Sequence, residues 1–406
     1  MANVSSSNGL EKRPKLRFPG FDEPWKETTL SALFSKSTQK NADGHITNVI
    51  CNSAKLGLIP QREYFDKDIA NSDNTSGYYI IRQNDFVYNP RKSYDAPYGP
   101  IRSYKYAEDG IVSPLYLCFH AKRKINPMYY EWYFRSSAWH RYIYMSGDSG
   151  ARHDRVSIKD DTFFAMPINL PSEREQSKIA SFLQSLDERI AAQEKLVASL
   201  KKYKRGLLHD VLSEKIKITT ETWTEHRIGE FLHSKSIKQL PTTDAPLMAF
   251  TATGGVCDKG ERYDRGFLVK DASSKLYKRT DLNDFIYSSN NLDVGSIGLN
   301  LYGSAVISDV YEIFSIKDAD PWFISEAIKQ KPIMSRILKY RQGCLYGQYR
   351  IYAEDFLGVF VKIPSYEAQK KIGAVFSKID GKIMQEQILL DCLEKARTFF
   401  LQQLFI

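Results

Sequence analysis

Residues 171–213 read PSEREQSKIA SFLQSLDERI AAQEKLVASL KKYKRGLLHD VLS. From Ile179 to Val211, apolar side chains recur at alternating steps of four and three residues. This spacing predicts a helix with one narrow apolar stripe, which is typical of a coiled-coil seam rather than of a helix lying on a globular domain. Ser172 followed by Glu175 is a capping-box pattern and predicts where the helix starts. A helix with such a seam requires a partner.

The chain supplies that partner itself, because residues 364–406 repeat the pattern. Polar residues interrupt both seams at matching places, Gln193 with Glu386 and Lys204 with Arg397. A polar seam residue costs stability but fixes register. We interpret these positions as register markers, the alternative being a solvated fault in each seam. The predicted seam consists of Ile179, Leu183, Leu186, Ile190, Val197, Leu200, Leu207 and Val211 in the first helix, and Ile372, Phe376, Ile379, Ile383, Leu390, Leu393, Phe400 and Leu404 in the second.

The segments that precede the two helices also match each other. Short motifs recur in the same order at offsets of 193 to 199 residues, which indicates an internal duplication. The matching pairs are Trp25 with Trp223, residues 84–88 with 283–287, residues 113–116 with 308–311, Asn126-Pro127 with Asp320-Pro321, and Pro171-Ser172 with Pro364-Ser365.

Each copy combines short strands with one helix of moderate length. Runs such as 78–81, 86–88, 115–119 and 311–314 are rich in β-formers and are separated by Gly, Pro, Asn and Asp. The Asn-Pro and Asp-Pro pairs predict helix caps. We therefore predict an α+β fold: two similar domains separated by a long antiparallel two-helix coiled coil, with pseudo-two-fold symmetry. The boundaries are a flexible tail at 1–13, domains at 14–170 and 214–363, and helices at 171–213 and 364–406.

Composition narrows the class of protein. The 406 residues carry a formal net charge of +9, which fits a polyanionic partner but does not require one. The five cysteines are scattered, as in a reduced compartment, and no run of apolar residues is long enough to cross a membrane. We therefore expect a cytoplasmic protein without membrane contact.

Motifs for catalysis and cofactor binding are missing from the sequence. There is no Gly-x-Gly for a dinucleotide or S-adenosylmethionine loop, no phosphate-binding loop with Lys, and no metal-spaced histidine pair. Residues 95–98 (DAPY) come near the Asp-Pro-Pro-Tyr motif of amino-methyltransferases, but without a cofactor loop we interpret them as a turn. The sequence predicts no catalysis, no cofactor and no metal.

The segment from Leu170 to Leu208, together with Leu16–Phe21 followed by Trp25, resembles the specificity subunits of type I restriction-modification systems. The resemblance extends over essentially the whole chain. It implies that 14–170 and 214–363 are target-recognition domains, each reading one half of a bipartite, asymmetric sequence in double-stranded DNA. It further implies that the helices dock two methyltransferase subunits, which restriction and translocase subunits then join.

Reading bases requires Arg, Asn or Gln side chains on elements that enter a groove. The loops just before the last strand of each domain fit this requirement best, with secondary basic and polar positions elsewhere. Arg155 and Arg350 align in the duplication, so a shared phosphate contact or a structural ion pair is expected for both. Arg152 and Gln348 do not align and are better candidates for base discrimination. The candidates are Arg152, His153, Arg155, Arg341, Gln342, Gln348, Tyr349 and Arg350, with Arg91, Lys92, Asn290 and Asn291.

The alternative function is that of a structural adaptor, a two-headed coiled-coil protein that binds other proteins. The two hypotheses differ in their dependence on salt, since DNA binding weakens steeply as salt rises.

Overall fold

The computed structural model describes residues 12–64, 75–147, 154–252, 255–258, 275–290, 292–343 and 349–406. The chain divides into two compact units. Unit 1 comprises residues 1–194 with 389–406, and unit 2 comprises residues 195–388. Both units mix strands and helices, as the α+β prediction required.

Unit 1 is built on a four-stranded antiparallel sheet with three two-stranded sheets beside it. Its strands are β1 (Lys26–Thr29), β2 (Phe34–Lys36), β3 (Ile50–Ser53), β4 (Gly57–Pro60), β5 (Tyr79–Ile81), β6 (Phe86–Tyr88), β7 (Ile101–Ser103), β8 (Gly110–Val112), β9 (Leu117–Ala121) and β10 (Pro167–Leu170). Its helices are α1 (Leu30–Leu33), α2 (Gln61–Tyr64), α3 (Pro127–Arg135), α4 (His140–Ser146), α5 (Asp160–Phe164) and the first half of α6 (Glu173–Leu212).

Unit 2 contains the second half of α6 and most of the last helix. Its strands are β11 (Thr224–Arg227), β12 (Leu232–Ser234), β13 (Lys238–Gln239), β14 (Ala249–Thr251), β15 (Gly255–Cys257), β16 (Tyr277–Thr280), β17 (Phe285–Ser288), β18 (Ile297–Leu299), β19 (Ala305–Ile307), β20 (Tyr311–Ile316), β21 (Gln342–Gly343), β22 (Tyr349–Arg350) and β23 (Phe360–Ile363). Its helices are α7 (Pro321–Ile328), α8 (Lys331–Ile337), α9 (Ala353–Leu357) and α10 (Tyr366–Gln403), with short 3-10 turns at Ile228–Glu230 and Leu338–Tyr340.

The main sheets of the two units have the same strand order. It is β2-β9-β6-β7 in unit 1 and β12-β20-β17-β18 in unit 2. Asn84 and Asn283, in the turns that lead into β6 and β17, both adopt a left-handed conformation, with φ of 70° and 66°. Asparagine tolerates this conformation better than most residues. The duplication seen in the sequence therefore extends to backbone conformation.

The helix caps follow the sequence prediction. The Asn126 side chain accepts a hydrogen bond from the Tyr129 amide, and Asp320 accepts one from the Phe323 amide. A proline occupies the first helical position after each cap, where its missing N–H costs nothing. The helices after these caps carry aromatic residues in the first copy and aliphatic ones in the second, and all of them are buried: Tyr130, Tyr133 and Phe134, and Ile324 and Ile328.

The two long helices run antiparallel within each unit. In unit 1, Phe182 contacts Phe400 at 4.8 Å between ring centroids, and Asp187 bonds to Arg397, so residue numbers rise along one helix and fall along the other. In unit 2, the Lys201 ammonium donates to the Gln387 side chain. All sixteen predicted seam residues are buried or half-buried.

The second pair of polar seam positions, Lys204 in α6 and Arg397 in α10, lies in a charged network in each unit. In unit 1, the Asp187 carboxylate accepts from Arg397 of α10 at 2.5 Å and from Arg135 of α3 at 3.3 Å. In unit 2, the Lys204 ammonium donates to Asp380 of α10 at 2.8 Å and to Glu326 of α7 at 3.2 Å. Each network links the paired helices to the globular part of its own unit, as a register marker would.

The capping-box prediction is half right. Ser172 does accept a hydrogen bond from the Glu175 amide, at 3.3 Å. The Glu175 carboxylate, however, does not close the box, because both of its oxygens accept from the Arg17 guanidinium at 2.8 Å. A bidentate arginine is a stronger partner than a backbone amide. In unit 2 the Ser365 amide donates instead to Glu221, at 3.3 Å.

Of the tail predicted at residues 1–13, the structure describes only Lys12 and Arg13. The Lys12 carbonyl accepts a hydrogen bond from the Trp25 amide at 3.1 Å, so residues 12 and 13 belong to the folded part of unit 1. Residues 1–11 lie outside the described part of the chain.

Within the described part of the chain, no helix is both long and apolar enough to span a membrane.

Candidate nucleic-acid interface

The candidate residues of unit 1 meet where two segments join. The loop between β6 and β7 (residues 89–100) runs beside residues 154–156, which precede α5. Arg91 and Arg155 pair as an antiparallel bridge, the Lys92 amide donates to the Asp154 carbonyl at 2.8 Å, and the Val156 amide donates to the Pro90 carbonyl at 2.9 Å. The backbone thus holds the cations of the two segments side by side.

The β6–β7 loop is braced from within. The Tyr88 hydroxyl donates to the Tyr98 carbonyl at 2.9 Å. Gly99 has a φ of +81°, and a Cβ there would collide with the Asn89 carbonyl, so only glycine fits. The Tyr98 ring rests on His140, 4.8 Å away, and burial lowers the pKa of that histidine to about 4. His140 is therefore neutral at physiological pH and adds no charge behind the loop.

The cationic side chains of the unit 1 site are not paired with carboxylates of the described residues. Arg91 and Lys92 are exposed and Arg155 is half-buried. Among the described residues, none of the three has a carboxylate within ion-pair distance, and the buried Arg155 Nε has no hydrogen-bond partner. A guanidinium held by its backbone but not neutralised is suited to bind an anion or a base edge.

The candidates of unit 2 meet at the equivalent junction. Asn290, which follows β17, pairs with Arg350 as an antiparallel bridge, and the Ile351 amide donates to the Ser289 carbonyl at 2.9 Å. Gln342 pairs with the same Arg350 in the β21–β22 ladder. The predicted residues Asn290, Gln342, Tyr349 and Arg350 are therefore brought together, as Arg91 and Arg155 are in unit 1.

The cations of the unit 2 site, in contrast, are paired with carboxylates. Arg350 lies 3.5 Å from Glu312, which also accepts from Lys278 at 3.0 Å. Arg341 lies 3.5 Å from Asp293 and 5.8 Å from the centre of the Tyr349 ring. The sequence left a structural ion pair open for both aligned arginines. Among the described residues, Arg350 has such a pair and Arg155 does not. Glu312 was missed, since strand pairing brings it close and no local motif marks it.

Four of the predicted residues lie outside the described part of the chain: Arg152, His153, Asn291 and Gln348. Their assignment to base reading or to DNA contact remains a prediction. Among the described residues there is no cluster of side chains that could hold a metal ion.

Comparison with known proteins gives one family model and several solved structures that this chain resembles. Residues 29–202, covering most of unit 1 and much of α6, match the family model described as the type I restriction modification DNA specificity domain. No curated protein matches the chain in sequence.

Two solved structures share the fold over nearly the full length. One is the S subunit of a type I restriction-modification system from M. genitalium, with 16% identity, a TM-score of 0.59, and coverage of 97% of this chain and 99% of that one. The other comes from work on complex assembly and conformational transition of the type I R-M system, with 15% identity, a TM-score of 0.55, and coverage of 95% and 98%.

Proposed function

We propose that this chain, which belongs to the DNA specificity subunits of type I restriction-modification systems, reads a bipartite, asymmetric target with one domain for each half-site. As a specificity subunit it recognises double-stranded DNA and is not itself catalytic. One observation carries the bipartite part of the proposal: equivalent loop junctions in the two units gather different side chains.

The difference between the junctions supports asymmetry. Unit 1 presents Arg91 and Arg155, whereas unit 2 presents Asn290 and Gln342 beside Arg350. Arginine pairs with guanine and the amides of Asn and Gln pair with adenine, so two such sites would select different bases. We assign residues 14–170 to one target-recognition domain and 214–363 to the other.

The long helices are proposed to set the distance between the half-sites. Helix α6 has 40 residues, which corresponds to about 60 Å at about 1.5 Å per residue. The predicted seam would hold α6 against α10 as a coiled coil. The same helices would dock two methyltransferase subunits, to which restriction and translocase subunits would be added in the cytoplasm.

Sequencing the methylated motif tests this function. The chain is combined with its methyltransferase partner, and methylated bases are mapped in DNA exposed to the complex. We expect two half-sites separated by unspecified bases. The variants Arg155→Ala and Gln342→Ala should each relax a different half-site. If both variants relaxed the same half, the assignment of one domain to each half would be wrong.

A helix insertion tests the distance. Four residues added within 186–210 lengthen the helix by about 6 Å with little rotation, since a turn has about 3.6 residues. The unspecified spacer should grow by one or two base pairs, at about 3.4 Å each, while the half-site bases stay the same. An unchanged spacer would show that the helices are only connectors.

The salt dependence of DNA binding distinguishes the proposed function from the adaptor hypothesis. For the assembled complex, the logarithm of the DNA association constant should fall linearly with the logarithm of salt concentration. An adaptor would show no DNA binding to lose.

A further inference from the structure

The two most exposed large hydrophobic side chains in the described part of the chain are Tyr94 and Val294, at 94% and 82%. They lie in equivalent loops. Tyr94 is in the loop between β6 and β7, and Val294 is in the loop between β17 and β18. These strand pairs occupy the same place in the two main sheets, so the duplication presents an apolar residue at the same tip twice.

The tip that carries Tyr94 is held by its own backbone. Ser93 and Ala96 exchange hydrogen bonds at 3.0 and 3.2 Å, closing a turn around Tyr94 and Asp95. The Ser93 hydroxyl also accepts from the Ala96 amide, at 3.2 Å. Together with the brace at Gly99, this turn fixes the position of a tyrosine that buries almost nothing in the folded chain.

The tip that carries Val294 is braced as well. The Ser288 amide donates to the Ser296 carbonyl at 2.8 Å across the base of the loop. Asp293, next to Val294, lies 3.5 Å from Arg341 of the neighbouring segment. An exposed valine contributes no hydrophobic stabilisation to the folded chain, because its surface stays in water.

The surroundings of Tyr94 point to nucleic acid. Arg91 and Lys92 lie three and two residues before it, and Arg155 pairs with Arg91 across the junction. These cations would hold phosphates beside the tip. Asp95, at the same turn, would be repelled by phosphates but could accept a hydrogen bond from cytosine N4 in the groove. The charge pattern favours a tip that enters the groove.

We propose that Tyr94 is a wedge that enters the DNA of its half-site and opens the stack between two neighbouring bases. This inference rests on the proposed DNA-reading function. Apolar side chains inserted between base steps unstack them and kink the duplex, and an aromatic ring recovers part of the cost by stacking on a base. Val294 has no aromatic face and instead makes an apolar contact in the groove of the other half-site, for instance with a thymine methyl group.

Thymine oxidation by permanganate tests the wedge, because unstacked thymines react faster than stacked ones. The DNA is a duplex containing the methylated motif, with thymines placed in turn along both half-sites, bound by the complex of the full chain with its methyltransferase partner. The methyltransferase extrudes its target base in each half-site, so thymines opposite those bases react in both. We expect one further reactive step in the Tyr94 half-site and none in the Val294 half-site.

Variants assign the effect to the ring. Tyr94→Ala should abolish the reactive step and weaken binding by about 5- to 100-fold, the range for losing one stacked base. Tyr94→Phe should keep both properties. Tyr106→Ala, which removes a partly exposed tyrosine from the loop between β7 and β8, is the matched control and should leave both unchanged. Because Tyr94 is almost fully exposed, no variant at this position should change the melting temperature.

Two results would overturn the inference, and they are distinguishable. If Tyr94→Ala bound the motif and gave the same reactivity as the unchanged chain, the wedge would be wrong while the DNA-reading function stood. If the complex bound no DNA at any salt concentration, the proposed function would fail and the wedge with it.

Discussion

Units 1 and 2 place an arginine at the same junction and surround it differently. Strand pairing sets Leu117 opposite Tyr88 in unit 1 and Glu312 opposite Tyr287 in unit 2. Glu312 reaches Arg350, whereas the leucine leaves Arg155 without a carboxylate among the described residues. One position on a neighbouring strand thus decides whether the arginine has a carboxylate beside it, while the Nε of Arg350, like that of Arg155, has no hydrogen-bond partner among the described residues.

The helix contacts differ between the units in the same way. In unit 1 one carboxylate, Asp187, lies between two arginines, whereas in unit 2 one lysine, Lys204, lies between two carboxylates. The duplication kept the pair between the helices, since Asp187 corresponds to Asp380 and Arg397 to Lys204, and it changed the third charge from Arg135 in α3 to Glu326 in α7. The helix–helix pair is therefore the repeated feature, and the charge on the globular part is adjustable.

Removing Asp187 should have the largest effect on stability. Asp187→Ala leaves Arg135 and Arg397 facing each other, both half-buried, and we expect a loss of about 2–3 kcal/mol. The matched variant Asp380→Ala should cost only about 1 kcal/mol, because Lys204 keeps Glu326. Calorimetric melting of both variants measures the difference, and equal losses would contradict the comparison.

The next largest loss of stability is expected from adding a methyl group at Gly373. A Cβ at this position would collide with the Asp320 carboxylate that caps α7, so Gly373→Ala should cost about 1–2 kcal/mol through loss of the cap. Ala180 already stands at the corresponding place in unit 1. Gly381→Ala is the control: its Cβ meets nothing, and helix propensity predicts a gain of up to about 1 kcal/mol. A gain at both positions would show that the close approach is not constraining.

Loss of Arg155 should weaken DNA binding more than loss of Arg350. Arg155→Ala should cost about 1–3 kcal/mol if it contacts a base, or lower the slope of the salt dependence by about one if it contacts a phosphate. Arg350→Ala should cost less, since Glu312 already offsets its charge. Fluorescence anisotropy of the methyltransferase complex on its motif, at several salt concentrations, decides. A larger effect for Arg350 would refute the role assigned to Leu117 and Glu312.

A smaller effect is expected from releasing the unit 2 cations. Glu312→Gln frees Arg350 and Lys278, and we expect binding to random-sequence DNA to tighten a few-fold with a steeper salt dependence. Leu117→Glu should do the opposite in unit 1. No change in either variant would mean that these arginines do not face DNA.

The smallest expected effect is on stability at acidic pH, through the titration of Asp187. Burial raises the pKa of Asp187, but Arg135 and Arg397 outweigh burial, so its pKa is below its ordinary value. Its contribution to stability is therefore present above the unfolded pKa, about 3.9, and is lost as pH falls through the lower folded value. Asp187→Asn should show a shallower loss of melting temperature below about pH 4. An identical acid limb in both proteins would contradict this.

Periodicity and duplication predicted the elements well, because helix seams and caps are local in sequence. The caps at Asn126 and Asp320 needed only the residue and the proline after it. The partner of Glu175 could not be predicted, since Arg17 lies 158 residues away in the chain. The pairing of Arg350 with Glu312 could not be predicted for the same reason, since the two residues are 38 positions apart. The base-reading roles of Arg152 and Gln348 remain predictions.

The hydrogen bond between Leu16 and the end of α10 has a consequence for the connectivity of the chain. The Leu16 amide donates to the Gln403 carbonyl at 3.0 Å, and the Phe18 ring packs on Phe182 at 5.5 Å, all within unit 1. The end of α10 is thus joined noncovalently to the segment that leads into β1, whereas the end of α6 continues into β11 through peptide bonds. The ends of the two long helices are therefore connected differently, one by peptide bonds and the other by noncovalent contacts. A circular permutant that links residues 406 and 12 and opens the chain after Leu212 should retain both units, since the noncovalent contact already holds residues 16 and 403 together.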